Sequence, residues 1–209
     1  MSNILYIAHR VNTIPELLAI DEQYGVEVDL RDHGDKIVLV HDPFIIDNSH
    51  TEFEEYLRHF RHAFIILNTK SERIEERVQA LLQKYDITQY FFLDSSFPMI
   101  VKLTAAGESK IAVRYSEYEP IEAVLAMRSK VEWVWVDCFT RYPLTPETSR
   151  TLRDAGFKIC LVSPELQKHD LSMLETVAGT CDSTDSADRI YDAICCKSYN
   201  IDELREQTS

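Results

Sequence analysis

The chain has 209 residues, of which 45% are hydrophobic and 27% charged, a balance typical of a globular protein. This composition excludes a disordered chain, a collagen and a coiled coil, and the length predicts a single domain over residues 1–209. Asp and Glu outnumber Lys and Arg by 35 to 22, which gives a formal net charge of −13. Because general binding to nucleic acid or to an anionic membrane relies on basic patches, we expect neither partner.

Cysteine usage and hydropathy bear on the cellular compartment. The five cysteines are odd in number and include no Cys-x-x-Cys pair, which argues against a zinc or redox motif and favours a reducing compartment: Cys138, Cys160, Cys181, Cys195 and Cys196. No stretch approaches the roughly 18 apolar residues of a membrane span. We therefore expect a cytoplasmic protein without stable membrane insertion, and the sequence leaves its oligomeric state open.

Short apolar runs, rich in β-branched and aromatic residues, alternate with helical segments along the chain. Such runs are typical of strands buried on both faces of a parallel sheet. Eight of them follow this alternation, at residues 4–8, 26–30, 64–67, 90–93, 111–113, 133–136, 158–162 and 191–195. A ninth run, 37–40, follows the second too closely for a parallel crossover, so it is predicted to return antiparallel in a hairpin near His33 and Gly34.

Helix boundaries are predicted from capping residues, prolines and glycines. Thr51 and Glu54 form the pattern of a capping box, and Ser71 precedes a segment, 72–85, whose apolar residues have helical spacing. Three prolines stand where a first helical turn tolerates them, and two glycines stand where helical segments stop: Pro120, Pro146, Pro164, Gly107 and Gly156.

Eight strands alternating with helices, plus one hairpin arm, predict an α/β fold. We expect a (β/α)8 TIM barrel with a small hairpin after the second strand, at the short end of the size range of that fold. A doubly wound open sheet is the alternative. The sequence contains neither a Gly-x-Gly-x-x-Gly motif nor a Walker loop, so nucleotide-binding folds lose support.

Barrel enzymes work at the carboxyl ends of their strands, where this sequence places carboxylates. Glu27 and Asp29 lie two positions apart in one strand and therefore point to the same face. Two adjacent carboxylates repel each other unless a cation lies between them, and hard oxygen ligands suit Mg²⁺ or Ca²⁺. A solvated polar pair is the other interpretation.

Histidines and basic residues occupy the same predicted strand ends. His9 and His41 each end an apolar run and could divide the roles of general acid and general base at neutral pH, although a lone histidine is more often structural. Arg10, Lys70 and Arg114 are candidates for contact with phosphate oxygens, or for salt bridges with the carboxylates nearby.

The order and spacing of three short motifs resemble the glycerophosphodiester phosphodiesterases: His9-Arg10, Glu27-Val28-Asp29 and His41-Asp42. The hairpin between the carboxylates and the second histidine fits the same layout, as do Lys70 and the last predicted strand. The resemblance spans nearly the whole chain, but the specific motifs lie within residues 4–42. It implies a metal-dependent phosphodiesterase barrel.

The resemblance also implies roles for individual residues. His9 and His41 would be the acid–base pair, and Arg10 and Lys70 would contact the phosphate. A hydroxyl of the substrate would attack phosphorus and give a cyclic phosphate, which water then opens or which a lyase releases. The expected cofactor is a divalent cation, Mg²⁺ or Ca²⁺, and its ligands would be Glu27, Asp29 and Asn68.

The sequence departs from the family at several positions. Asn68 stands where a third metal carboxylate is expected, and Asp94 or Asp137 could replace that carboxylate from a neighbouring strand. Val11 stands in place of a glycine, and the tryptophan expected near Ser163 is missing. The substrate is therefore left as a small phosphodiester or a phosphorylated polyol.

Two other functions remain open at this stage. One is a catalytically impaired barrel that binds a phosphorylated ligand. The other is an unrelated hydrolase that uses Asp94, Glu117 and Asp137, for which His9 would be dispensable.

Overall fold

The computed structural model describes residues 4–44, 49–178 and 190–207. Within this part of the chain, nine strands alternate with eight α-helices and three short 3-10 turns. By their internal contacts the residues form two compact units, Ile7–Glu108 and Ser109–Ser209 together with Met1–Tyr6. The single domain predicted from length stays a prediction.

The unit Ile7–Glu108 is built on a parallel sheet with the strand order β5-β4-β2-β1, and an antiparallel arm, β3, pairs with β2. Strand β1 begins just before the boundary of this unit. The strands are β1 (Leu5–Ala8), β2 (Gly25–His33), β3 (Lys36–Leu39), β4 (Phe64–Thr69) and β5 (Tyr90–Leu93). The helices are α1 (Ile14–Ala19), α2 (Phe53–His59), α3 (Glu75–Lys84) and α4 (Phe97–Ala105).

The second unit continues the same alternation with four parallel strands in the order β9-β8-β7-β6. The strands are β6 (Ala112–Tyr115), β7 (Trp133–Val136), β8 (Lys158–Val162) and β9 (Ala193–Cys196). The helices are α5 (Ile121–Leu125), α6 (Pro146–Asp154), α7 (Glu175–Ala178) and α8 (Ile201–Gln207). Within this unit the backbone N–H of Leu5 donates to the carbonyl of Asp192, 3.0 Å away.

This order of elements and this pairing confirm the predicted α/β class and the (β/α)8 barrel fold. All eight predicted runs overlap a strand, and the ninth returns antiparallel along β2 as expected. Strand β2 is the element that matters most for the site. Its residues Val26, Val28 and Leu30 are fully buried on one face, so alternation places Glu27 and Asp29 together on the other.

Two predicted helix starts are wrong. Helix α2 begins at Phe53 rather than after Thr51, because residues 51 and 52 still pair with the hairpin: the carbonyl of Thr51 accepts from Leu39, and Glu52 forms a bridge with Val38. Helix α3 begins at Glu75, well after Ser71. The hydroxyl of Ser71 accepts from the backbone of Asp32 instead of capping a helix.

The real capping boxes lie elsewhere. Thr13 caps α1 and receives the reciprocal bond from Glu16, a Thr-x-x-Glu pattern that the sequence analysis overlooked. Thr145 and Thr148 form a second box at the start of α6, where Pro146 opens the helix as predicted. Gly107 and Gly156 follow α4 and α6 with φ near 92°, a left-handed conformation that favours glycine, so both predicted stops are confirmed.

No helix in the described ranges is long and apolar enough to cross a membrane. Four of the cysteines are buried, and two of them, Cys195 and Cys196, lie within β9: Cys138, Cys160, Cys195 and Cys196. Cys181 lies outside the described residues.

Candidate functional site

Two buried carboxylates form the centre of the candidate site. Glu27 and Asp29 are each only 1% exposed, although both are ionisable. Asp29 lies in register with Asn68 of β4, which is 7% exposed. Burial of two neighbouring carboxylates is unfavourable unless their oxygens find donors or a cation. The donors to each carboxylate oxygen therefore indicate which oxygens are left to bind a cation.

Glu27 is bound by neutral donors. The backbone N–H of Arg10 donates to Oε2 over 2.7 Å, and the side-chain amide of Asn68 donates to Oε1 over 2.8 Å. Nε2 of His9 lies 3.9 Å from Oε2. Burial and the nearby charge of Asp29 raise the pKa of Glu27 to about 7, against the opposing effect of these hydrogen bonds and of Lys70. Without a cation, Glu27 therefore holds a proton over much of the neutral range.

Asp29 is bound mainly by charged groups. Nε of Arg10 lies 3.6 Å from its Oδ2, and Nζ of Lys70 lies 3.7 Å from its Oδ1. Asn12 makes a double contact: its amide donates to Oδ2, and its carbonyl accepts from the backbone N–H of Asp29, both over 2.9 Å. This double contact fixes the carboxylate and the strand backbone relative to each other.

Arg10 and Asp94, which both contact the site, lie on turns with unusual backbone geometry. Arg10 follows β1 with a φ of 58°, and Asp94 follows β5 with a φ of 62°. Left-handed conformations cost a non-glycine residue about 1–3 kcal/mol and cluster at functional sites. The turn at Arg10 lets its N–H reach Glu27 while its guanidinium reaches Asp29. Asp94 in turn lies 3.4 Å from Nζ of Lys70.

His41 follows the hairpin arm β3 and is partly exposed. Its Nδ1 lies 2.9 Å from the carboxylate of Asp42. Hydrogen bonding to His41 lowers the pKa of Asp42, and the charges of Arg10 and Arg31 lower it further. Asp42 and Arg10 are therefore close enough to interact, which places the residues after β3 beside the turn that follows β1.

Arg114 belongs to the unit Ser109–Ser209 and forms an ion pair with a carboxylate of that unit. Its guanidinium donates to Asp137, a residue 1% exposed that also accepts hydrogen bonds from Trp135 and Gln167. Burial raises the pKa of Asp137, against the effect of Arg114. Trp135 is buried, and its indole N–H is the donor to Asp137. The predicted phosphate contact of Arg114 stays a prediction, as does Asp137 as a replacement metal ligand.

The carboxylate of Glu117 binds the loop that follows β7. Its carboxylate accepts hydrogen bonds from backbone N–H groups of that loop and from the hydroxyl of Thr140. Although burial opposes the change, these bonds lower the pKa of Glu117 to about 2. A carboxylate held in this way organises a loop, so the structure gives no support to a hydrolase built on Glu117.

The residues predicted from sequence fall into two groups, those of the unit Ile7–Glu108 and those of the unit that contains Ser109–Ser209. The unit Ile7–Glu108 brings together most of them: His9, Arg10, Glu27, Asp29, Asn68, Lys70 and Asp94. Asn12 and Arg31 were missed. Arg31 continues the alternation of Glu27 and Asp29 along β2, a signal that could have identified it, whereas Asn12 carried no comparable pattern.

Two buried oxygens bear on whether the site fits a cation. Oδ1 of Asp29 and Oδ1 of Asn68 both accept no hydrogen bond in the structure. Together with Glu27 they form a set of hard oxygen donors, the kind that Mg²⁺ and Ca²⁺ prefer. Among the described residues, no group of three His, Cys, Asp or Glu side chains is arranged to hold a metal ion.

Comparison with solved structures identifies proteins of the same fold. A candidate glycerophosphoryl diester phosphodiesterase from Agrobacterium tumefaciens superposes with a TM-score of 0.71 at 15% identity, covering 98% of both chains. A glycerophosphoryl diester phosphodiesterase from Parabacteroides distasonis gives a TM-score of 0.65 at 13% identity, over 98% of this chain and 87% of that one.

A third neighbour is a phosphodiesterase from Oleispira antarctica in complex with the product sn-glycerol-3-phosphate. It has a TM-score of 0.65 at 14% identity and covers 98% of this chain and 97% of that one. No protein-family model matches the sequence, and no curated protein matches it. At these identities the comparison shows a shared fold.

Proposed function

We propose that the chain is a divalent-cation-dependent phosphodiesterase that cleaves small phosphodiesters of the glycerophosphodiester type. The observation that carries this proposal is the buried pair Glu27 and Asp29, with His9 beside the first carboxylate and Arg10 and Lys70 beside the second. Proteins of the same fold that are named as phosphodiesterases support it, and so does the sn-glycerol-3-phosphate bound by one of them.

Glu27, Asp29 and Asn68 would hold the cation, Mg²⁺ or Ca²⁺. Two of their buried oxygens accept no hydrogen bond, and Glu27 would lose its raised pKa next to a positive ion. When bound, the cation supplies positive charge that neutralises the phosphoryl oxygens. It also explains how an acidic protein handles an anionic substrate.

His9 and His41 are proposed as the acid–base pair. One imidazole removes the proton from a substrate hydroxyl, whose oxygen attacks phosphorus, while the other imidazolium protonates the departing alkoxide. This step forms one P–O bond and breaks another, so the product is a cyclic phosphate and a free alcohol. Water opens the ring in a hydrolase, and the ring is released in a lyase.

Arg10 and Lys70 are proposed to bind the phosphate. Lys70 donates to Asp94 over 3.4 Å, and both basic groups lie 3.6 to 3.7 Å from Asp29, beyond the length of a good hydrogen bond. The guanidinium and the ammonium therefore each have further N–H donors for an incoming anion. Arg114 is retained as a further phosphate contact. The substrate class is a small phosphodiester or a phosphorylated polyol.

Turnover of a phosphodiester panel tests the proposal. Glycerophosphodiesters and bis-p-nitrophenyl phosphate are assayed with Mg²⁺, Ca²⁺, Mn²⁺ or EDTA, and phosphorus NMR separates cyclic from open products. We expect cation-dependent turnover that His9→Ala and His41→Ala each reduce by at least about 100-fold. The matched control is His59→Ala, because His59 lies on α2 and pairs with Glu55. Turnover that persists in EDTA and in His9→Ala rules the mechanism out.

A second candidate is a barrel that binds a phosphorylated ligand without cleaving it. The observation that favours it is the Asn68 amide, which donates to Glu27 where the family has a third carboxylate. Calorimetry with sn-glycerol-3-phosphate and with each cation separates the two functions. Ligand binding without cation binding, and without turnover, selects the binding protein.

A further inference from the structure

The side chain of Arg31 connects two loops of the candidate site. Arg31 is the last residue of the alternating series Glu27, Asp29 and Arg31 on β2, so it lies on the same face as the two carboxylates. Among the described residues, it forms no hydrogen bond or ion pair with either carboxylate. Instead its guanidinium donates to two backbone carbonyls, those of His41 and Lys70.

The geometry of this contact uses the whole guanidinium fork. Nη2 and Nε both donate to the carbonyl of His41, over 2.9 and 3.3 Å, and Nη1 donates to the carbonyl of Lys70 over 3.0 Å. The two acceptors are 29 positions apart in the chain, one after the hairpin arm β3 and the other after β4. A planar group with several donors in fixed directions is suited to hold two such acceptors at one separation.

The backbone of β2 extends the same arrangement. The N–H of Val40 donates to the carbonyl of Asp29, and the N–H of Lys70 donates to the carbonyl of Leu30, both over 2.9 Å. Residues 29–31 therefore connect to the residue before His41 and to Lys70 itself. Arg31 adds the only described side chain that bonds both His41 and Lys70 through their backbones.

We infer that Arg31 is a positioning residue, which sets the distance between the imidazole of His41 and the ammonium of Lys70. The inference rests on the proposed function, in which His41 transfers a proton and Lys70 binds the phosphate. Those two roles require the proton-transferring group and the phosphorus atom to be aligned, and misplacement by about 1 Å can cost about 100-fold in rate.

The test substitution is Arg31→Lys, which keeps the positive charge and the flexible stem but removes the planar fork. We expect kcat/KM for a glycerophosphodiester to fall by about 100-fold, through both kcat and KM. The matched control is Arg77→Lys. Arg77 donates to the carbonyl of Asp35 in the turn of the same hairpin and contacts neither His41 nor Lys70. Its activity should match that of the wild type.

Double variants separate positioning from a general loss of structure. If Arg31 acts through His41, then Arg31→Lys combined with His41→Ala is no slower in kcat than His41→Ala alone. If it acts through Lys70, then Arg31→Lys alone weakens binding of sn-glycerol-3-phosphate, measured by calorimetry. In a protein that already carries Lys70→Met, adding Arg31→Lys causes no further loss of binding. Additive effects in both cycles, or full activity of Arg31→Lys, overturn the inference while the proposed function stands.

The same experiments identify failure of the proposed function. If the wild type binds sn-glycerol-3-phosphate but turns over no phosphodiester, the calorimetric cycle with Lys70→Met still decides whether Arg31 positions Lys70. If the wild type neither turns over a phosphodiester nor binds sn-glycerol-3-phosphate, both the proposed function and the inference built on it are overturned.

Discussion

At the scale of single residues, the candidate site is a problem of buried charge. Glu27 and Asp29 are side by side and almost inaccessible to solvent. Arg10 and Lys70 compensate Asp29. The donors to Glu27 are neutral, and burial together with the charge of Asp29 raises the pKa of Glu27 to about 7 despite their hydrogen bonds. This asymmetry leads to two predictions, one for the cation-free protein and one for the ligand set.

The stability of the cation-free protein should fall as pH rises from about 4.5 to about 7. Because the folded-state pKa of Glu27, about 7, lies above its ordinary value of 4.5, the folded state retains a proton that the unfolded state has lost. The resulting loss is about 3 kcal/mol and is complete above pH 7. Urea unfolding in EDTA at pH 5, 6, 7 and 8 should show this loss in the wild type but not in Glu27→Gln.

Glu117→Gln is the control for that experiment, since the pKa of Glu117 is lowered rather than raised. Its difference in stability between pH 5 and pH 8 should match that of the wild type. Equal pH dependence in the wild type and in Glu27→Gln contradicts the raised pKa.

Asn68→Asp should strengthen cation binding and destabilise the cation-free protein. A third carboxylate adds charge to the oxygen donor set, and ligand charge is one determinant of affinity for hard cations. We expect affinity for Ca²⁺ or Mg²⁺ to rise by about tenfold or more, measured by calorimetry. Asn200→Asp makes the same change of charge elsewhere and should leave affinity unchanged. No gain in Asn68→Asp argues that the cation does not bind at Glu27 and Asp29.

At the scale of elements, the site depends on how β2 is anchored to its neighbours. Asn12 ties the segment before α1 to Asp29, and Arg31 ties the residues after β3 and β4 together. The segment containing Asn12 leads directly into Thr13, the capping residue of α1. With only six residues, α1 depends on that cap more than a long helix would.

Thr13→Ala should therefore destabilise the protein by about 1 kcal/mol, because the N-terminal N–H groups of α1 lose their acceptor. Thr51→Ala tests the corrected start of α2: the Thr51 side chain caps no helix, so the change should cost less than about 0.5 kcal/mol. Urea unfolding of both variants measures the difference. A larger loss in Thr51→Ala than in Thr13→Ala contradicts the assigned helix starts.

At the scale of the whole molecule, the net charge of −13 affects every measurement of cation binding. Any added salt screens repulsion among the 35 acidic residues and raises stability without a specific site. A site for a divalent cation produces a different effect, since it stabilises the folded state through one equilibrium with its own dissociation constant.

Mg²⁺ or Ca²⁺ at 100 times its Kd should raise the free energy of unfolding by about 2.7 kcal/mol. The measurement is urea unfolding against cation concentration, with NaCl at matched ionic strength as the reference. Asp29→Asn should abolish the gain over NaCl. Glu117→Gln, which also removes one negative charge but lies outside the proposed ligand set, should retain it. An equal gain in Mg²⁺, Ca²⁺ and NaCl shows screening alone.

The class of the fold is predictable from local sequence patterns alone, and so is the grouping of several candidate site residues. Buried strands leave continuous apolar runs, and the spacing of Glu27 and Asp29 fixes their common face wherever β2 lies. His9 and Lys70 were likewise identified because strand ends of a barrel meet at one edge. These features are local and periodic, so they can be recognised without any knowledge of contacts.

The groups that hold those residues come from distant parts of the chain, so the folded arrangement alone identifies them. The contacts of Asn12 with Asp29 and of Arg31 with Lys70 join positions 17 and 39 apart, and such pairing leaves no periodic trace in a sequence. The failed caps at Thr51 and Ser71 have the same origin, because backbone pairing with the hairpin engages these segments instead. Likewise, the raised pKa of Glu27 arises from burial and from neighbours that the fold brings together.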